Sequence, residues 1–497
     1  MKTSDPLSLK LVTSLLSTWQ AAGFFFAALT CYSVPLILDN YPAIDAPSRT
    51  GLATSLWSEE GRTLSLYLMH ALNWSTPTLD VFPLSLLLAI AIMTYALCRL
   101  AHRWFSSPTV MQCTLLLPLW YNPYFLPVLS WHEACIPITL SMAMAVIAIT
   151  YQHRIGLFHW GFSCILVMAG MSVHVAMLNL FLGLACVDVL QRAHAQPGNR
   201  EARVLALHHI KVAAGAISLY LLVGGFVAPE QVGLAWPTLD SLIARSSVVA
   251  HTLALFITPL NAVIFITVAV VAVAGWWVVF YQAGHVFIGA RAPHFLLCGL
   301  SGAGLVWATG GVTLFSRQTG LTLDPLAMIG AASLMVGLLC LAYVGLVRIR
   351  PGLTLALYAP LFCFLSFAYA YGQIVRDKHD QESFTRDLVA ADLLNHSAFF
   401  YARETIILRE SNDPLFSPVC LRKGQPLIDY LSNDHYMMLP EHLAKRGLNN
   451  VRLQPIHAAV PPAEPVLIRP FYRLYLENEL AYVRLTSTNM RLDCRFL

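Results

Sequence analysis

The chain has 497 residues, of which 57% are hydrophobic and only 12% are charged, and its mean hydropathy is +0.62. Soluble domains contain about 25% charged residues, so this composition excludes a soluble secreted enzyme, a disordered chain and a nucleic-acid binder. The net charge of +4 indicates no polyanionic partner. The composition is that of a polytopic membrane protein.

Stretches without Asp, Glu, Lys or Arg recur along the chain, and most approach or exceed the ~20 apolar residues that a membrane-spanning helix needs. Residues 155–187 are too many for one span and predict two short helices that meet near Val173–His174. Residues 246–290 predict a re-entrant or interfacial piece around residues 253–260, ended by Pro259, and then one full span. The predicted fold class is an α-helical polytopic membrane protein with about eleven transmembrane helices. The stretches are residues 11–38, 81–98, 104–132, 134–153, 155–187, 212–229, 246–290, 292–316, 325–347 and 351–375.

The distribution of Lys and Arg predicts the orientation in the membrane. With the N-terminus inside, the inside loops carry most of the Lys and Arg, whereas the outside loops are richer in acids and aromatic residues. An odd number of spans then places the C-terminal part outside. The first apolar run is long enough to span and lacks a small-residue cleavage site, so no cleavable signal peptide is expected. The predicted outside loops are residues 39–80, 121–133, 229–251 and 315–324.

The composition changes at about Gly372, after which charges, prolines and turn residues occur at the density of a soluble protein. The sequence therefore divides into a transmembrane domain, residues 1–371, and a small mixed α/β extracytoplasmic domain, residues 372–497. Apolar positions in residues 377–394 have helical spacing. The predicted strands of this domain are residues 399–408, 471–476 and 480–485, and the last two form a hairpin.

Two of the 11 cysteines, Cys420 and Cys494, lie in the outer domain. A disulfide between them is compatible with the oxidising outer compartment of bacteria. A pair of free thiols is equally compatible with the sequence. The sequence contains no CxxC, HExxH or Cys/His cluster that indicates a metal site.

The first outer loop, residues 39–80, is long and polar, and its acids and arginines alternate with aromatic residues. Two interpretations of this loop stay open. In the first, it is a solvated connection with an amphipathic interfacial helix over residues 48–72, and its arginines meet lipid headgroups. In the second, it forms a catalytic site. The charged and aromatic residues concerned are Asp39, Tyr41, Asp45, Arg49, Trp57, Glu59, Glu60, Arg62, Trp74 and Asp80.

Glycosyl transfer from a lipid-phosphate sugar is a reaction that needs such residues at the membrane surface. The acceptor hydroxyl needs a carboxylate general base as it attacks the anomeric carbon. The leaving group is a polyprenyl phosphate, whose growing negative charge needs Arg or Lys. Because the lipid tail of the donor stays in the bilayer, the site must lie at headgroup level, where Tyr and Trp are also favoured.

Short motifs follow one another in the outer loops and at the start of the C-terminal domain. The first loop offers Tyr41, Asp45, Arg49, Trp57, Gly61 and Arg62 in that order, and it closes with Asp80-Val81-Phe82-Pro83-Leu84. Later motifs are Asn122-Pro123-Tyr124-Phe125-Leu126 in the second loop and Ala368-Tyr369-Ala370-Tyr371-Gly372 at the domain start. Together they resemble the serotype-converting O-antigen glucosyltransferases, the Gtr type carried by phages and their bacterial relatives. The chain departs from that pattern at Ala46, where the family has a second acid, and at Val173-His174, where it has a Tyr-Gln-like element.

This resemblance implies a GT-C-like membrane glycosyltransferase in the bacterial inner membrane, with its site on the periplasmic side. It implies transfer of glucose, with inversion, from undecaprenyl-phosphate-glucose to a lipid-linked O-antigen (lipopolysaccharide) repeat. The partners would be that donor, that acceptor and membrane lipids, without nucleic acid. We expect no cofactor, and no metal, because the loop acids are too few and too scattered for a carboxylate cage.

The resemblance implies catalytic, phosphate-binding and substrate-binding roles for individual residues. Asp45 is the expected general base, with Asp39 as its rival because it lies at the end of the first span. The expected donor-phosphate ligands are Arg49 and Arg62, while Arg245 and Arg317 either complete a phosphate cradle or are plain interfacial arginines. The expected substrate-binding residues are Tyr41, Trp57, Glu59, Glu60, Asn122, Tyr124, Glu133 and His174. For His174 a packed, hydrogen-bonded side chain at a helix corner stays an open alternative.

Two other functions stay open. A transporter or flippase of lipid-linked sugars should bury ionisable residues within its spans, often in inverted repeats, and the charge-free stretches show neither. A non-catalytic membrane component of polysaccharide assembly would use the outer domain to recruit a partner.

Overall fold

The structure is a computed structural model of the chain. It describes residues 14–39, 63–74, 81–132, 134–151, 157–196, 200–227, 238–281, 288–315, 325–409, 425–431, 443, 446–448, 450–455, 464–477 and 479–485. The chain divides into two compact units: the first consists of residues 1–38 and 53–369, and the second of residues 39–52 and 370–497.

The regular secondary structure of the first unit is helical in the described residues, apart from an isolated bridge between Leu15 and Thr109, and its last helix includes residues of both units. Its α-helices are α1 (Thr18–Asp39), α2 (Thr63–Asn73), α3 (Leu84–Trp104), α4 (Val110–Thr114), α5 (Leu126–Ser130), α6 (Cys135–Thr150), α7 (Leu157–Val173), α8 (Met177–Ala195), α9 (Arg200–Val227), α10 (Leu239–Ala254), α11 (Ala262–Tyr281), α12 (Ile288–Trp307), α13 (Gly330–Ile349) and α14 (Tyr358–Asn395). Short 3₁₀ helices cover Leu117–Leu119, Pro123–Phe125, Thr313–Phe315, Pro325–Ile329 and Pro351–Leu357.

Six segments in the described residues are helical, long enough and apolar enough to cross a membrane. They are Thr18–Leu38, Leu84–Trp104, Arg200–Val223, Ala262–Tyr281, Pro325–Ile349 and Pro351–Asp377. Four shorter apolar helices accompany them: Val110–Leu119, Cys135–Thr150, Phe158–Val173 and Ala292–Trp307. Large apolar side chains such as Val270 and Val273 of α11 are exposed, as expected of a surface that faces lipid. The count of about eleven spans and the orientation stay predictions.

Two local predictions for the spans are confirmed. The long run 155–187 contains two helices, α7 and α8, separated by a turn at His174. In the run 246–290, α10 ends at Ala254, a turn contains Pro259, and helix α11, which is long and apolar enough to span, follows. The re-entrant or interfacial character of residues 253–260 stays a prediction.

The run 104–132 differs from one continuous span. Helix α3 ends at Trp104, and after it come the short helix α4, two 3₁₀ turns and the short helix α5. Proline lacks the amide hydrogen and clashes with the preceding turn of a helix, and this run contains Pro108, Pro118, Pro123 and Pro127. The prolines therefore explain why this apolar run does not form the single spanning helix that its composition predicted.

Small residues let the central helices of the first unit approach closely, as is common in membrane bundles. A side chain on Gly275 of α11 would collide with the backbone of Leu341 on α13. A side chain on Gly183 of α8 would collide with Ser333 on α13. These contacts fix α8, α11 and α13 as a tightly packed group.

The second unit contains a five-stranded mixed sheet, so the predicted mixed α/β module is confirmed in its described residues. The strand order is β2-β1-β5-β4-β3, with β1 parallel to β2 and β5, and β4 antiparallel to β5 and β3. Its core contains Val389, Leu393, Phe399, Ile407, Tyr472, Leu474, Ala481 and Val483. The elements are α15 (Ser397–Phe400), β1 (Glu404–Arg409), α16 (Pro426–Leu431), β2 (Val451–Pro455), β3 (Leu467–Ile468), β4 (Tyr472–Glu477) and β5 (Leu480–Leu485).

Most of these elements were predicted from the sequence. The helix predicted over residues 377–394 is the second half of α14, and the predicted hairpin is formed by β4 and β5. The strand predicted over residues 399–408 begins later, at Glu404, because residues 397–400 form the turn of helix α15. Cys420 and Cys494 lie outside the described residues.

Asp392 fastens the end of α14 to the sheet. Its carboxylate accepts hydrogen bonds from Arg469 Nε (2.8 Å) and Nη2 (2.9 Å) and from the Tyr472 hydroxyl (2.6 Å). The hydrogen-bonded Arg469 guanidinium lowers the pKa of this carboxyl below its usual value. A two-pronged charged contact of this kind fixes orientation as well as distance.

Candidate functional site

Residues 115–130, called here the buried loop, form the most unusual segment of the first unit. Every residue in it is buried, although much of its backbone is not α-helical. Buried backbone outside regular helices needs hydrogen-bond partners within the protein. The residues that hold this segment and the space beside it therefore determine what it can bind.

Helix α1 holds the first half of the buried loop. Trp120 Nε1 donates to Ser33 Oγ at 3.2 Å, and the Tyr121 hydroxyl donates to the Ala28 carbonyl at 2.8 Å. The rings of Tyr121 and Tyr32 are stacked with centroids 4.5 Å apart. Two hydrogen bonds and one ring stack therefore orient the loop against α1.

Asn122 and Tyr124 form the turn at the centre of the loop. Asn122 Oδ1 accepts a hydrogen bond from the Tyr124 amide at 3.1 Å and so caps the 3₁₀ helix that Pro123 begins. Asn122 Nδ2 is buried and has no hydrogen-bond partner among the described residues. An unsatisfied buried donor costs about 1–3 kcal/mol, so this amide is suited to a polar group of a ligand.

The Tyr124 side chain connects the loop to another helix. Its hydroxyl donates to the carbonyl of Thr252 at 2.9 Å and also lies 3.3 Å from the carbonyl of Leu253. These carbonyls belong to the last turn of α10, and the Leu253 carbonyl also accepts a hydrogen bond from the Phe256 amide at 3.4 Å. The tyrosine thus satisfies the helix end and sets the width of the space between α10 and the loop.

That space is a cavity of about 310 Å³. Asn122 and Tyr124 lie on one wall, and the other walls are almost entirely apolar. A second, wholly apolar cavity of about 250 Å³ adjoins it and shares Ile257, Met335 and Phe364 with it. The two cavities together, called here the apolar groove, are also lined by Phe256, Phe265, Ala331, Leu338 and Pro360.

Aromatic rings shape the middle of the apolar groove. Phe256 stacks on Phe364 with centroids 5.3 Å apart and meets Phe265 edge-on at 5.2 Å. Ile257 and Ile266 line the groove and remain partly exposed on the outside of the bundle. An apolar groove with one polar end suits an elongated molecule that has a polar head and a hydrocarbon chain.

Two of the site residues predicted from the sequence, Asn122 and Tyr124, line this groove. Two others are described but do not line it. Arg245 Nη1 on α10 donates to the Leu314 carbonyl at 2.8 Å, and His174 Nδ1 accepts from the Ala176 amide at 3.2 Å where α8 begins.

The remaining predicted site residues cannot be placed beside the groove. Asp39 is the last residue of α1, and its side chain lies outside the described part of the structure. The predicted residues Tyr41, Asp45, Arg49, Trp57, Glu59, Glu60, Arg62, Glu133 and Arg317 all lie outside the described residues.

A ring stack joins the ends of the first and second predicted outer loops. The rings of Phe82 and His132 are nearly parallel, with centroids 4.0 Å apart and an angle of 12° between them. Phe82 belongs to the motif that closes the first loop, and His132 closes the second. Two motifs that lie 50 residues apart in the sequence are therefore neighbours in the fold.

A buried ionisable cluster that was not predicted from the sequence lies within the helices of the first unit. Asp188 on α8 accepts hydrogen bonds from Trp104 Nε1 at 2.9 Å and lies 3.1 Å from His209 Nε2 on α9. Both the Asp188 and the His209 side chains are almost fully buried. Asp188 follows directly after the charge-free run that ends at residue 187, and histidines were not counted as charges. The apolar residues Val187, Val189 and Leu190 on both sides of Asp188 are the sequence signal that could have placed it inside a helix.

Metal ligands do not cluster in the part of the chain that the structure describes. In those residues, no three His, Cys, Asp or Glu side chains are grouped so that they could hold a metal ion. The polar side chains that line the groove in the described residues are those of Tyr121, Asn122 and Tyr124.

The chain is similar to a protein of Salmonella phage P22 that is described as an "Uncharacterized 55.3 kDa protein in gtrB 5'region". The two are 28% identical over 162 residues, which is 32% of this chain and 33% of the phage protein. The chain thus matches about a third of the length of this curated relative. No protein-family model matches the chain. No solved structure matches it either.

Proposed function

We propose that the protein is a membrane glycosyltransferase that moves a glucosyl residue from undecaprenyl-phosphate-glucose to lipid-linked O-antigen on the periplasmic face of the bacterial inner membrane. The observation that carries this proposal is the apolar groove with the unsatisfied Asn122 amide at its polar end. A polyprenyl-phosphate sugar has the same division into a long hydrocarbon chain and a polar head.

The similarity to the phage protein supports the same proposal. Its description refers to the gtrB 5′ region, and the motifs of the outer loops resemble the Gtr-type glucosyltransferases. The membrane-spanning helices agree with a donor whose tail stays in the bilayer.

The proposed reaction uses the first outer loop for chemistry and the groove for binding. Asp45, or its rival Asp39, removes the proton of the acceptor hydroxyl as that oxygen bonds to the anomeric carbon. The bond between the anomeric carbon and the phosphate oxygen breaks, and its electron pair leaves with undecaprenyl phosphate. Arg49 and Arg62 stabilise the charge that grows on this phosphate. Attack from the opposite side inverts the anomeric centre.

The groove residues have a positioning role in this proposal. Asn122 Nδ2 donates to an oxygen of the donor head, and the aromatic middle of the groove holds the first isoprene units. Holding the reacting carbon in place can contribute several kcal/mol to the barrier reduction. A loss of groove contacts should therefore slow the reaction without changing its chemistry.

A transfer assay with purified full-length protein tests the proposal. The protein in detergent is mixed with undecaprenyl-phosphate-[¹⁴C]glucose and lipid-linked O-antigen, and labelled acceptor and released undecaprenyl phosphate are measured. We expect one undecaprenyl phosphate for each glucose transferred, and no transfer from UDP-glucose. Transfer from UDP-glucose alone, or no transfer from the lipid donor, would contradict the proposal.

A second candidate function is a transporter or flippase of lipid-linked sugars, and one observation favours it. Asp188 and His209 are buried ionisable residues within helices, which transporters often use to couple movement to protons. In that case the Asp188→Asn variant would abolish movement of the lipid-linked sugar while the first-loop variants Asp45→Asn and Asp39→Asn would not. The glycosyltransferase proposal expects the opposite order.

A further inference from the structure

The apolar groove consists of two compartments that differ in polarity. The first, called here the head cavity, has a volume of about 310 Å³ and has the unsatisfied Asn122 amide and the Tyr124 side chain on its wall. The second, called here the tail cavity, has a volume of about 250 Å³, and each residue that lines it in the described part of the chain is apolar. A sugar or a phosphate is costly to bury without hydrogen-bond partners. The tail cavity therefore suits a hydrocarbon chain and not a polar head.

Phe364 stands where the two compartments meet. It lines both of them, together with Ile257 and Met335. Its buried ring stacks on Phe256 with centroids 5.3 Å apart and lies 5.5 Å from the ring of Phe265 at an angle of 48°. Methionine side chains are flexible, and Ile257 is partly exposed on the outside of the bundle. The Phe364 ring, which two neighbouring rings hold, is therefore the fixed part of this junction.

The tail cavity is also open to the outside of the bundle. Ile266, which lines it, is 60% exposed. The other lining residues come from α11 and from the segments Pro325–Ile349 and Pro351–Asp377, all three of which are long and apolar enough to cross a membrane. A chain that is longer than the groove can therefore continue into the surrounding lipid.

We propose that the tail cavity makes the protein select phosphates with long hydrocarbon chains, and that Ala269 and Leu338 determine this selection. The inference rests on the proposed function, in which the donor head binds beside Asn122. The chain beyond Phe364 then lies in the tail cavity, whereas a phosphate with a short chain occupies only the head cavity. Ala269 on α11 and Leu338 on α13 line the tail cavity and not the head cavity. They control the space for the chain without contacting the head.

The chain gains little from the hydrophobic effect when it enters the tail cavity, because a membrane or a micelle is already apolar. What it gains is close packing against the cavity walls, which adds many small dispersion contacts. A larger side chain in the tail cavity removes these contacts and forces the chain out of its place. Selection by chain length should therefore be sensitive to the volume of the side chains at the two positions.

Binding of two sugar-free phosphates to the full-length protein in an uncharged detergent tests this proposal. One ligand is tritiated undecaprenyl phosphate, and the other is tritiated geranyl phosphate, whose chain is short. Ala269→Leu should weaken binding of undecaprenyl phosphate at least several-fold and leave binding of geranyl phosphate unchanged. Each ligand is compared between variant and wild type, so its partition into micelles cancels.

The matched control is Ala274→Leu. Ala274 is an exposed residue of the same helix and lines neither compartment. This variant adds the same side chain to α11 outside the groove, and it should bind both phosphates as the wild type does.

Leu338→Phe fills the tail cavity from α13 instead of α11, so the test does not depend on the folding of one variant. It should give the same pattern as Ala269→Leu, and thermal unfolding of each variant shows that the folded protein is measured. Equal weakening of both phosphates in folded variants would overturn the proposal, because the change would then act on the whole site. Unchanged binding of undecaprenyl phosphate in both variants would overturn it as well.

The two phosphates carry no sugar, so this test can fail independently of glucosyl transfer. Selective loss of the long chain in the variants, combined with no transfer by the wild type, would support the tail cavity and contradict the proposed function. Transfer by the wild type, combined with wild-type binding of both phosphates by the variants, would support the proposed function and overturn the tail cavity.

Discussion

The Tyr124 hydroxyl lies 2.9 Å from the carbonyl oxygen of Thr252, and this hydrogen bond joins the buried loop to the last turn of α10. The same side chain lines the groove that we assign to the lipid donor. Replacement of this hydroxyl therefore tests whether the width of the groove matters for function. Loss of one net hydrogen bond costs about 0.5–1.5 kcal/mol.

Tyr124→Phe should lower the transfer rate several-fold and the unfolding temperature by only a few degrees. Its matched control is Tyr369→Phe, because the Tyr369 hydroxyl donates to the Cys31 carbonyl at 3.3 Å and does not line the groove. The control should lose no more stability than Tyr124→Phe, because Tyr369 is 44% exposed, and it should keep its transfer rate. Equal loss of activity in both variants would show that the width of the groove does not matter for transfer. Transfer rates and thermal unfolding in the same detergent provide the comparison.

Asn122 caps a 3₁₀ helix and, in our proposal, also binds the donor head, and two substitutions distinguish these roles. Asn122→Ala loses the cap of the 3₁₀ turn, which costs about 0.5–2 kcal/mol, and it also loses the free amide donor. Asn122→Ser keeps an oxygen that can cap the Tyr124 amide but removes the amide donor. We expect both variants to transfer glucose slowly and only the alanine variant to unfold at a clearly lower temperature. A serine variant with full activity would rule out the amide as a donor-head ligand.

The Asp188–His209 pair should contribute to stability rather than to transfer. Removal of one partner of a buried pair leaves the other uncompensated and typically costs 3–5 kcal/mol. Asp188→Ala should therefore unfold at a much lower temperature than the wild type. Asp188→Ala/His209→Ala should recover part of that loss, with a coupling of about 0.5–3 kcal/mol.

Thermal unfolding of the wild type, both single variants and the double variant measures the Asp188–His209 coupling. Additive losses in the double variant would show that the two residues do not act as a pair. A folded Asp188→Asn protein that has lost all function would favour the transporter instead.

The second unit should lose stability in acid because of Asp392. Its pKa is lowered in the folded state by the Arg469 hydrogen bonds, so the stabilisation is present above the unfolded value of about 3.9. It is lost as the pH falls through the lower, folded-state pKa. In Asp392→Asn this acid-sensitive step should disappear, although the variant is less stable at neutral pH. Hydrogen exchange of residues 389–393 between pH 5 and pH 3 measures it, and an unchanged acid step in the variant would contradict the assignment.

The sequence predicted features that depend on composition and short-range pattern. The apolar runs predicted spanning helices, the corner at His174 followed from a run too long for one span, and the stop at Pro259 followed from a residue type that ends helices. The β4–β5 hairpin followed from two alternating runs around a short turn. The motif around Asn122 and Tyr124 was also selected from the sequence, and both residues line the groove.

Other features depend on which residues meet in three dimensions. Nothing in the local sequence around Tyr124 indicates that its hydroxyl reaches Thr252, 128 residues away. Asp188 and His209 become a pair only because α8 and α9 pack side by side. The run 104–132 looked like one span because hydropathy does not register the effect of four prolines on helix continuity. Which single polar residues are buried or paired could therefore be learned only from the three-dimensional structure.

The central claim is that an acid of the first outer loop catalyses transfer to O-antigen. The most direct measurement is mass spectrometry of lipopolysaccharide from cells that make the wild type, Asp45→Asn, Asp39→Asn or Asp45→Asn/Asp39→Asn at equal membrane levels. The account predicts one added hexose per O-antigen repeat with the wild type. It predicts at least a hundred-fold loss of that hexose with one of the single variants, in line with removal of a general base, and no hexose with the double variant. Undiminished hexose addition by the double variant would contradict it.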